Sequence, residues 1–306
     1  RHLNMLRNDS RPLHAWPSPF SVPATDMRAY SPEPIAILAS GDPFHYGVGK
    51  ALLRHFKPQE LLTFPASSAF SLAAARMGWS LEDVTCITLH GRPLANLSYA
   101  LDPGAKIIAL GVGDTAQKAA DLMTKLGYGP SQMTALSHLG GPRESFQSHR
   151  VLNWSLVQLD DLTTLAIDCR LDHERPRYAR TPGLPDEAFQ HDGQLTKRDI
   201  RTLTLSKLAP KPGEHLWDVG AGCGSVAIEW LRAAPKGRAT AIEANAGRMG
   251  LILANAEALG APGLQLISGE APQALNGLDQ PDAIFVGGGV SAPGMLATCW
   301  RALKPG

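Results

Sequence analysis

The stretch that decides the fold is residues 215–231, His-Leu-Trp-Asp-Val-Gly-Ala-Gly-Cys-Gly-Ser-Val-Ala-Ile-Glu-Trp-Leu. A short apolar run ends in three alternating glycines, and an apolar pattern with helical spacing follows them. This order predicts a strand, a tight turn and the start of a helix, the geometry by which α/β domains bind a cofactor at a strand's carboxyl end. Because glycine lets the backbone approach a ligand closely, Gly220, Gly222 and Gly224 are candidate cofactor contacts.

The residues around this turn narrow the class of ligand. A nicotinamide-binding fingerprint needs Gly or Ala at position 225, where this chain has Ser225. Asp218, just before the first glycine, is placed to face the cationic end of a ligand. The G-x-G-x-G spacing alone is only moderately specific, so a purely structural turn is the alternative interpretation.

The residues that follow extend the same pattern. Arg238–Ile242 predicts a second strand that ends in Glu243, 25 residues after Asp218. An acidic side chain at the tip of the second strand can accept hydrogen bonds from both ribose hydroxyls of a nucleoside cofactor. Apolar spacing then predicts a helix over Ala246–Leu259 and strands over Leu264–Ile267 and Ala283–Val286.

The motifs of this half together resemble a known family. Asp-Val-Gly-Ala-Gly-Cys-Gly (218–224), Ala-Ile-Glu-Ala-Asn (241–245), Gly-Glu-Ala-Pro (269–272) and Leu-Lys-Pro-Gly (303–306) resemble successive motifs of class I S-adenosylmethionine methyltransferases. Leu195–Arg201, Leu205–Leu208 and Phe285–Gly289 are more narrowly similar to the decarboxylating precorrin methyltransferase domain of cobalamin biosynthesis. This resemblance covers roughly residues 183–306 and implies a Rossmann-like domain.

The first half of the chain also alternates strands with helices, which predicts a second α/β domain. Helices are predicted over Val48–Phe56, Phe70–Met77 and Ala116–Leu126. Strands are predicted over Pro34–Ser40, Leu61–Phe64, Val84–Leu89, Lys106–Leu110, Gln132–Ser137 and Thr164–Asp168.

Three segments of this half resemble the tetrapyrrole methylase family. They are Ala39-Ser40-Gly41-Asp42-Pro43, the loop Pro65–Ala69 and Leu139-Gly140-Gly141-Pro142. Each is weak alone, since Gly-Asp-Pro is a common turn sequence, but together they look most like the precorrin methylases that act at carbon 5. In that family the cofactor lies folded in a cleft between two subdomains, which implies a second cofactor site here.

The two resemblances imply a set of cofactor-binding residues, and no catalytic acid or base can be assigned. His45 has a packed or surface histidine as its alternative interpretation, and Cys223 is expected to act through its backbone. Thr196 lies either near the methionine end of the cofactor or at a helix N-cap. The loop Leu110–Thr115 is a less certain contact. The implied set is Thr196, Gly220, Ala221, Gly222, Cys223, Gly224, Glu243 and Ala271 in the second half, and Gly41, Asp42, His45, Ser68 and Ala69 in the first.

The resemblances also set the expected domain limits. We expect a tetrapyrrole methylase-like domain over residues 1–174, a linker over 175–186 and a class I methyltransferase domain over 187–306. The first family's opening strand should precede Arg1, and Lys304-Pro305-Gly306 is the turn before a methyltransferase's fifth strand, so we expect a trimmed version of a longer chain. The arginine- and proline-rich linker is interpreted as a solvated tether or as a loop that holds an anionic substrate.

Composition excludes several other functions. The formal net charge is only +1 over 306 residues and there is no basic run, which argues against nucleic acid as the main partner. The chain has no run of 18 apolar residues, so the sequence does not predict a membrane span. Four separated cysteines and ten histidines without ligand spacing predict reduced thiols and no metal site. We expect a cytoplasmic homo-oligomer.

The resemblances imply a bifunctional enzyme that binds one S-adenosylmethionine per domain. The expected reactions on a precorrin are methylation at carbons 5 and 15 and decarboxylation of the ring C acetate, giving precorrin-8. The second half would perform the carbon 15 methylation and the decarboxylation. Arginines that would bind the substrate's carboxylates are Arg143, Arg150, Arg198 and Arg201. The alternatives are a methyltransferase for a protein or another small molecule, and a non-catalytic tetrapyrrole carrier.

Overall fold

The computed structural model describes residues 6, 8, 10–29, 33–111, 113–155, 159–160, 163–234, 236–261 and 263–305. The N-terminal half builds a mixed sheet from β1 (Val84–Thr88), β2 (Lys106–Gly111), β3 (Gln132–Ser137), β4 (Ser145–Arg150) and β5 (Thr163–Asp168). The strand order is β1-β2-β5-β3-β4. β1 and β2 run parallel, β5 lies antiparallel between β2 and β3, and β4 pairs antiparallel with β3 at one edge.

One helix covers each face of this sheet: α3 (Ala69–Met77) lies on one and α4 (Thr115–Lys125) on the other. Two shorter helices, α1 (Ala24–Arg28) and α2 (Gly49–Leu52), precede them in the chain. Successive residues of a strand point to opposite faces. Ile107 of β2 therefore packs in the same core as Met123 of α4, whereas Ile108 packs in the same core as Phe70 of α3.

Two predicted strands near the candidate N-terminal site are wrong. Pro34–Ser40 and Leu61–Phe64 are not strands, and neither belongs to the sheet described above. Ile35 is 44% exposed and Leu62 is 83% exposed. An apolar run indicates a preference for burial, but a strand also needs a neighbour for its backbone hydrogen bonds, and no described strand pairs with these segments. The helix predicted over Val48–Phe56 is α-helical only over Gly49–Leu52.

Strand β4 has no apolar pattern and is not predicted by the sequence. Its residues are almost all exposed, and its sequence is Ser-Phe-Gln-Ser-His-Arg. Backbone pairing with β3 and side-chain hydrogen bonds across the two strands define it. Ser148 Oγ lies 2.8 Å from both Thr134 Oγ1 and Gln132 Nε2.

The C-terminal half builds a parallel sheet from β6 (His215–Val219), β7 (Arg238–Glu243), β8 (Leu264–Ser268) and β9 (Ala283–Val286), in the order β8-β7-β6-β9. Parallel pairing brings all carboxyl ends to one edge. Its helices are α5 (Arg198–Leu208), α6 (Ser225–Ala233), α7 (Ala246–Ala258) and α8 (Met295–Ala302). The strand–turn–helix predicted at residues 215–231 is confirmed, as is the α/β class of both halves.

Packing on both faces explains why β6 is central. Leu216 shares a core with Val226 and Trp230 of α6, whereas Trp217 shares the opposite core with Met295 of α8.

No helix in the described part of the chain is long and apolar enough to cross a membrane.

The segment between the halves is bonded to both of them. Arg177 Nη2 lies 3.2 Å from Asp102 Oδ1, and Arg180 donates to the carbonyl of Tyr99. On the other side, Arg232 Nη2 donates to the carbonyl of Ala179 at 3.1 Å. Residues 175–177 and 179–181 are exposed, so the segment is solvated as well as bonded to both halves.

Candidate functional site

The glycine turn after β6 needs glycine for both conformation and space. Gly220, Gly222 and Gly224 have φ values of +70°, +60° and +81°, a region that side chains disfavour. A Cβ at Gly220 would lie 2.9 Å from the backbone nitrogen of Gly288. A Cβ at Gly222 would lie 3.1 Å from the carbonyl oxygen of Gln194. The turn is thus packed tightly between two other backbone segments.

Backbone hydrogen bonds fix this turn on the second strand. The amides of Gly220 and Ala221 both donate to the carbonyl of Ile242, at 2.9 and 3.1 Å. Gly224 N donates to the carbonyl of Ala221 at 2.8 Å, which closes the turn before α6 begins. The backbone of the turn is therefore preorganised.

Glu243 lies at the end of β7, beside the glycine turn, as its sequence position predicts. Its Oε2 accepts a hydrogen bond from Gly222 N at 2.8 Å, and its Oε1 accepts one from Asn245 N at 2.9 Å. A carboxylate offers about four acceptor positions, so two remain for ribose hydroxyls. Glu243 both supports the turn and is positioned to bind a ligand.

Asp218 lies beneath the turn. It is buried, and its Oδ2 accepts a hydrogen bond from Ala227 N in the first turn of α6 at 3.0 Å. Its Oδ1 has no hydrogen-bond partner among the described residues. Burial raises the pKa of Asp218 to about 7, and the nearby Glu243 charge adds to this.

Cys223 lies in the middle of the glycine turn. Its side chain is buried, and burial raises the pKa of the thiol, which disfavours the thiolate needed for nucleophilic attack. Its carbonyl accepts a hydrogen bond from Asn255 Nδ2 at 3.0 Å. Asn255 is not predicted by the sequence; its only signal is a polar residue within the apolar helical pattern of residues 246–259.

Thr196 lies in the segment that approaches the glycine turn. Gln194, two residues earlier, has the carbonyl that faces Gly222. The N-cap of α5 is Lys197, and it makes no side-chain capping bond, so the alternative role of Thr196 as an N-cap is wrong. The carbonyl of Thr196 instead accepts a hydrogen bond from Arg201 Nη1.

Ala271 lies in the loop after β8, close to the same edge of the sheet. It packs against the core that contains Ile242 and Leu275. The loop is joined to β7 because Gly269 N donates to the carbonyl of Glu243 at 3.1 Å. The described C-terminal half thus brings the turn, Glu243 and the loop of Ala271 to the carboxyl edge, with the backbone of Gln194 against the turn.

Arg201 does not bind substrate, and its assignment to a substrate carboxylate is wrong. Its side chain is 0% exposed, and Nε donates to Glu229 Oε1 at 2.6 Å while Nη1 lies 3.1 Å from Asp186 Oδ1. Arg198, Arg143 and Arg150 remain exposed. The sequence could not show the pairing, because Glu229 is 28 residues away.

The N-terminal candidates are brought together around α3. Gly41 has a φ of +61°, and a Cβ there would lie 3.1 Å from the Cα of Ser68. Asp42 Oδ1 accepts a hydrogen bond from Phe44 N at 2.8 Å, which shapes the Gly41–Asp42 turn. Ser68 caps α3 by accepting a hydrogen bond from Ser71 N at 3.2 Å, and Ala69 begins this helix.

His45 packs in this cluster. Its ring stacks on Phe70 with centroids 4.5 Å apart. This contact favours the packed-histidine interpretation. Of the loop Leu110–Thr115, Val112 lies outside the described residues.

Within the described ranges, no group of three or more His, Cys, Asp and Glu side chains is placed to hold a metal ion.

Two family models match this chain. Residues 22–150 match the model described as tetrapyrrole (corrin/porphyrin) methylases. Residues 187–306 match the model described as a precorrin methyltransferase domain.

Individual proteins give the same picture. A precorrin-6Y C(5,15)-methyltransferase (decarboxylating) from a Sinorhizobium species is 43% identical over 308 residues, which cover 100% of this chain and 75% of that protein. A Saccharolobus solfataricus protein named "Probable cobalt-precorrin-6B C(15)-methyltransferase (decarboxylating)" is 36% identical over 131 residues, or 41% of this chain and 66% of that protein. The crystal structure of the C-terminal domain of precorrin-6Y C5,15-methyltransferase from Rhodobacter capsulatus is 45% identical, covers 42% of this chain and 69% of that one, and has a TM-score of 0.40.

Proposed function

This chain belongs to the family of decarboxylating precorrin-6Y C5,15-methyltransferases of cobalamin biosynthesis, and from this premise we propose that its two halves divide the reactions. The N-terminal half methylates carbon 5 of the precorrin. The C-terminal half methylates carbon 15 and decarboxylates the ring C acetate, and the product of both is precorrin-8. The Saccharolobus solfataricus relative supports this division, because its name includes carbon 15 and decarboxylation but not carbon 5.

The observation that supports the C-terminal site best is the bonded pair of the glycine turn and Glu243. The 2.8 Å hydrogen bond from Gly222 N to Glu243 Oε2 fixes a bare backbone next to a carboxylate. S-adenosylmethionine fits this arrangement, since a nucleoside can lie against the glycines while its ribose hydroxyls donate to Glu243. When bound, this cofactor supplies an electrophilic methyl sulfonium.

The chain's own residues then orient and enclose the reactants. The backbone around Gln194, which lies against the glycine turn, would cover one side of the cofactor, and Thr196 would contact its methionine end. Orientation of two reactants contributes about 7–11 kcal/mol to lowering a barrier. The exposed Arg143, Arg150 and Arg198 are the remaining candidates for the precorrin's carboxylates, because a guanidinium can bind a carboxylate through two hydrogen bonds.

A second cofactor site in the N-terminal half completes the proposal. The Gly41–Asp42 turn lies against Ser68, and the amino end of α3 begins at Ala69. This arrangement again places a glycine backbone at a helix start, which suits a polar cofactor. We therefore expect one S-adenosylmethionine per half.

Self-association and a cytoplasmic location belong to the same proposal. On α8, Leu296 is 63% exposed and Trp300 is 81% exposed. Large exposed apolar side chains on one helix are typical of contact surfaces. Light scattering on the purified full chain tests for a homo-oligomer.

Mass spectrometry of the products tests the division of reactions. In Gly222→Leu the side chain presses against the backbone of Gln194 and distorts the glycine turn, so we expect methylation at carbon 5 to persist while methylation at carbon 15 and release of carbon dioxide are lost. Gly213→Leu is the matched control, because Gly213 also has a positive φ of +85° but nothing lies within 4 Å of its added Cβ. Loss of both methylations in a folded Gly222→Leu protein, with Gly213→Leu active, would contradict the division.

A further inference from the structure

Residues 190–197 form a segment that crosses in front of the glycine turn, here called the strap. Its closest approach is at Gln194, whose carbonyl oxygen lies 3.1 Å from the position of a Cβ on Gly222. The strap thus lies directly against the turn at this point, and the two segments together form one wall of the proposed cofactor site. The groups that fix this contact lie at the two ends of the strap.

Asn255 of α7 holds the first end. Its Oδ1 accepts a hydrogen bond from Gln190 N at 2.8 Å, and its Nδ2 donates to the carbonyls of Gln190 at 2.9 Å and of Cys223 at 3.0 Å. One side-chain amide thus joins the beginning of the strap to the middle of the glycine turn. Asn255 is only 1% exposed, so water does not compete readily for these bonds.

Arg201 holds the second end. It donates from Nη1 to the carbonyl of Thr196, and its ion pair with Glu229 fixes the guanidinium. Between the two ends, the strap is joined to α7 by a more exposed contact, the 2.8 Å ion pair of Asp192 with Arg248. The buried ends therefore define the position of the strap, since exposed ion pairs contribute little.

We propose that Asn255 is a positioning residue of the C-terminal cofactor site, an inference that rests on the proposed function of that site. It binds no cofactor atom; it holds the beginning of the strap against the glycine turn at Cys223, so that the two segments keep their relative position beside the cofactor. No other natural side chain of this size both accepts and donates in this geometry. An aliphatic side chain at position 255 leaves the amide and carbonyl of Gln190 and the carbonyl of Cys223 without this partner, and the strap then moves outward to hydrate them.

Hydrogen exchange of the full chain, titrated with S-adenosylhomocysteine, tests this proposal. Peptides that contain residues 220–224 report the C-terminal site separately from the N-terminal one. In Asn255→Leu we expect roughly tenfold more ligand to be needed for half-protection of these peptides, and faster exchange in the strap without ligand. Asn255→Asp, which keeps the shape and the acceptor for Gln190 N but places a carboxyl oxygen against the two carbonyls, gives a second variant.

Thr240→Val is the matched control. It removes the buried 2.8 Å contact between Thr240 Oγ1 and His215 Nε2, at a part of the sheet away from the strap. If the Asn255 variants bind weakly only because the protein is less stable, Thr240→Val should bind weakly too. If they bind weakly because the strap has moved, Thr240→Val should bind as the wild type does. In steady-state assays the Asn255 variants should raise KM for S-adenosylmethionine more than they lower kcat.

The outcomes distinguish a failure of the proposed cofactor site from a failure of the positioning role of Asn255. If wild-type protein shows no protection at residues 220–224, the proposed cofactor site fails and the role of Asn255 fails with it. If wild-type protein is protected and both folded Asn255 variants titrate as it does, only the positioning role is overturned. Equal weakening in Thr240→Val would also overturn it.

Discussion

At the scale of single residues, the C-terminal site depends on side chains that form hydrogen bonds with the backbone. Glu243 and Asn255 each accept hydrogen bonds from main-chain amides next to the glycine turn, and Asp218 accepts one from the first turn of α6. These bonds hold the turn in a fixed shape. Preorganisation of this kind lowers the ordering cost of binding.

Glu243→Ala tests the ribose contact. The substitution leaves Gly222 N and the cofactor's hydroxyls without an acceptor, and we expect a loss of about 1–3 kcal/mol in S-adenosylhomocysteine binding at the C-terminal half. Calorimetry measures it. Glu257→Ala, which removes only the exposed ion pair with Lys125, should bind normally. Wild-type affinity in Glu243→Ala would rule out the ribose contact.

Asp218 predicts a pH dependence of stability. Its pKa is about 7 in the folded protein, against 3.8 for an unperturbed carboxyl. Between these values the native state binds more protons than the unfolded chain, so this group's contribution falls as pH rises through the window. Asp218→Asn removes that dependence, and we expect it to exceed the wild type in unfolding free energy above pH 7, by on the order of a few kcal/mol.

Urea unfolding of the two proteins at several pH values measures the difference. The two stabilities should converge as the pH falls below 3.8, where Asp218 becomes protonated in the unfolded chain as well as in the native state. A constant difference across the whole range would show that the carboxyl does not titrate in this window.

At the scale of elements, patterns that are local in sequence were predictable, and pairings distant in sequence were not. β6, its glycine turn and α6 follow from seventeen consecutive residues, because each preference in that stretch agrees with the others. The predicted strands at Pro34–Ser40 and Leu61–Phe64 are wrong because a strand depends on a neighbour. β4 was not predicted because its own sequence has no strand pattern, and it is a strand only through its pairing with β3.

The residues of the site were likewise predictable only where the signal was local in sequence. Glu243 was predictable because its position at a strand end is local. Arg201 was misassigned because its partner, Glu229, lies on another helix, and Asn255 was missed because its partners are backbone atoms of distant segments.

Arg201→Met tests how much the ion pair between α5 and α6 contributes to the free energy of unfolding. Removing the guanidinium leaves Glu229 buried with only the amides of Gly183 and Leu184 as donors. Breaking a buried pair costs about 3–5 kcal/mol, and we expect chemical denaturation to show a loss of this size. The matched control is Lys125→Met, which breaks an exposed pair worth about 0–1 kcal/mol. Equal losses in both variants would contradict the assigned role.

At the scale of the whole molecule, two α/β units with different motifs are joined by a segment that contacts both. Arg177 and Arg180 bind the N-terminal half, while Leu184 is buried in the C-terminal core. The composition of this segment suggested a tether, because proline and arginine are usual in solvated linkers. Its contacts depend on Asp102, Tyr99 and Arg232, which are far away in sequence. The units are thus connected but retain separate candidate sites.

The stoichiometry of cofactor binding tests this central claim most directly. Calorimetric titration of the full chain with S-adenosylhomocysteine should give two molecules per chain for the wild type. The Gly222→Leu variant should give one, because sites without shared contacts behave independently, and Gly213→Leu should still give two. A single molecule per wild-type chain, or a folded Gly222→Leu protein that binds none, would contradict the two-site account.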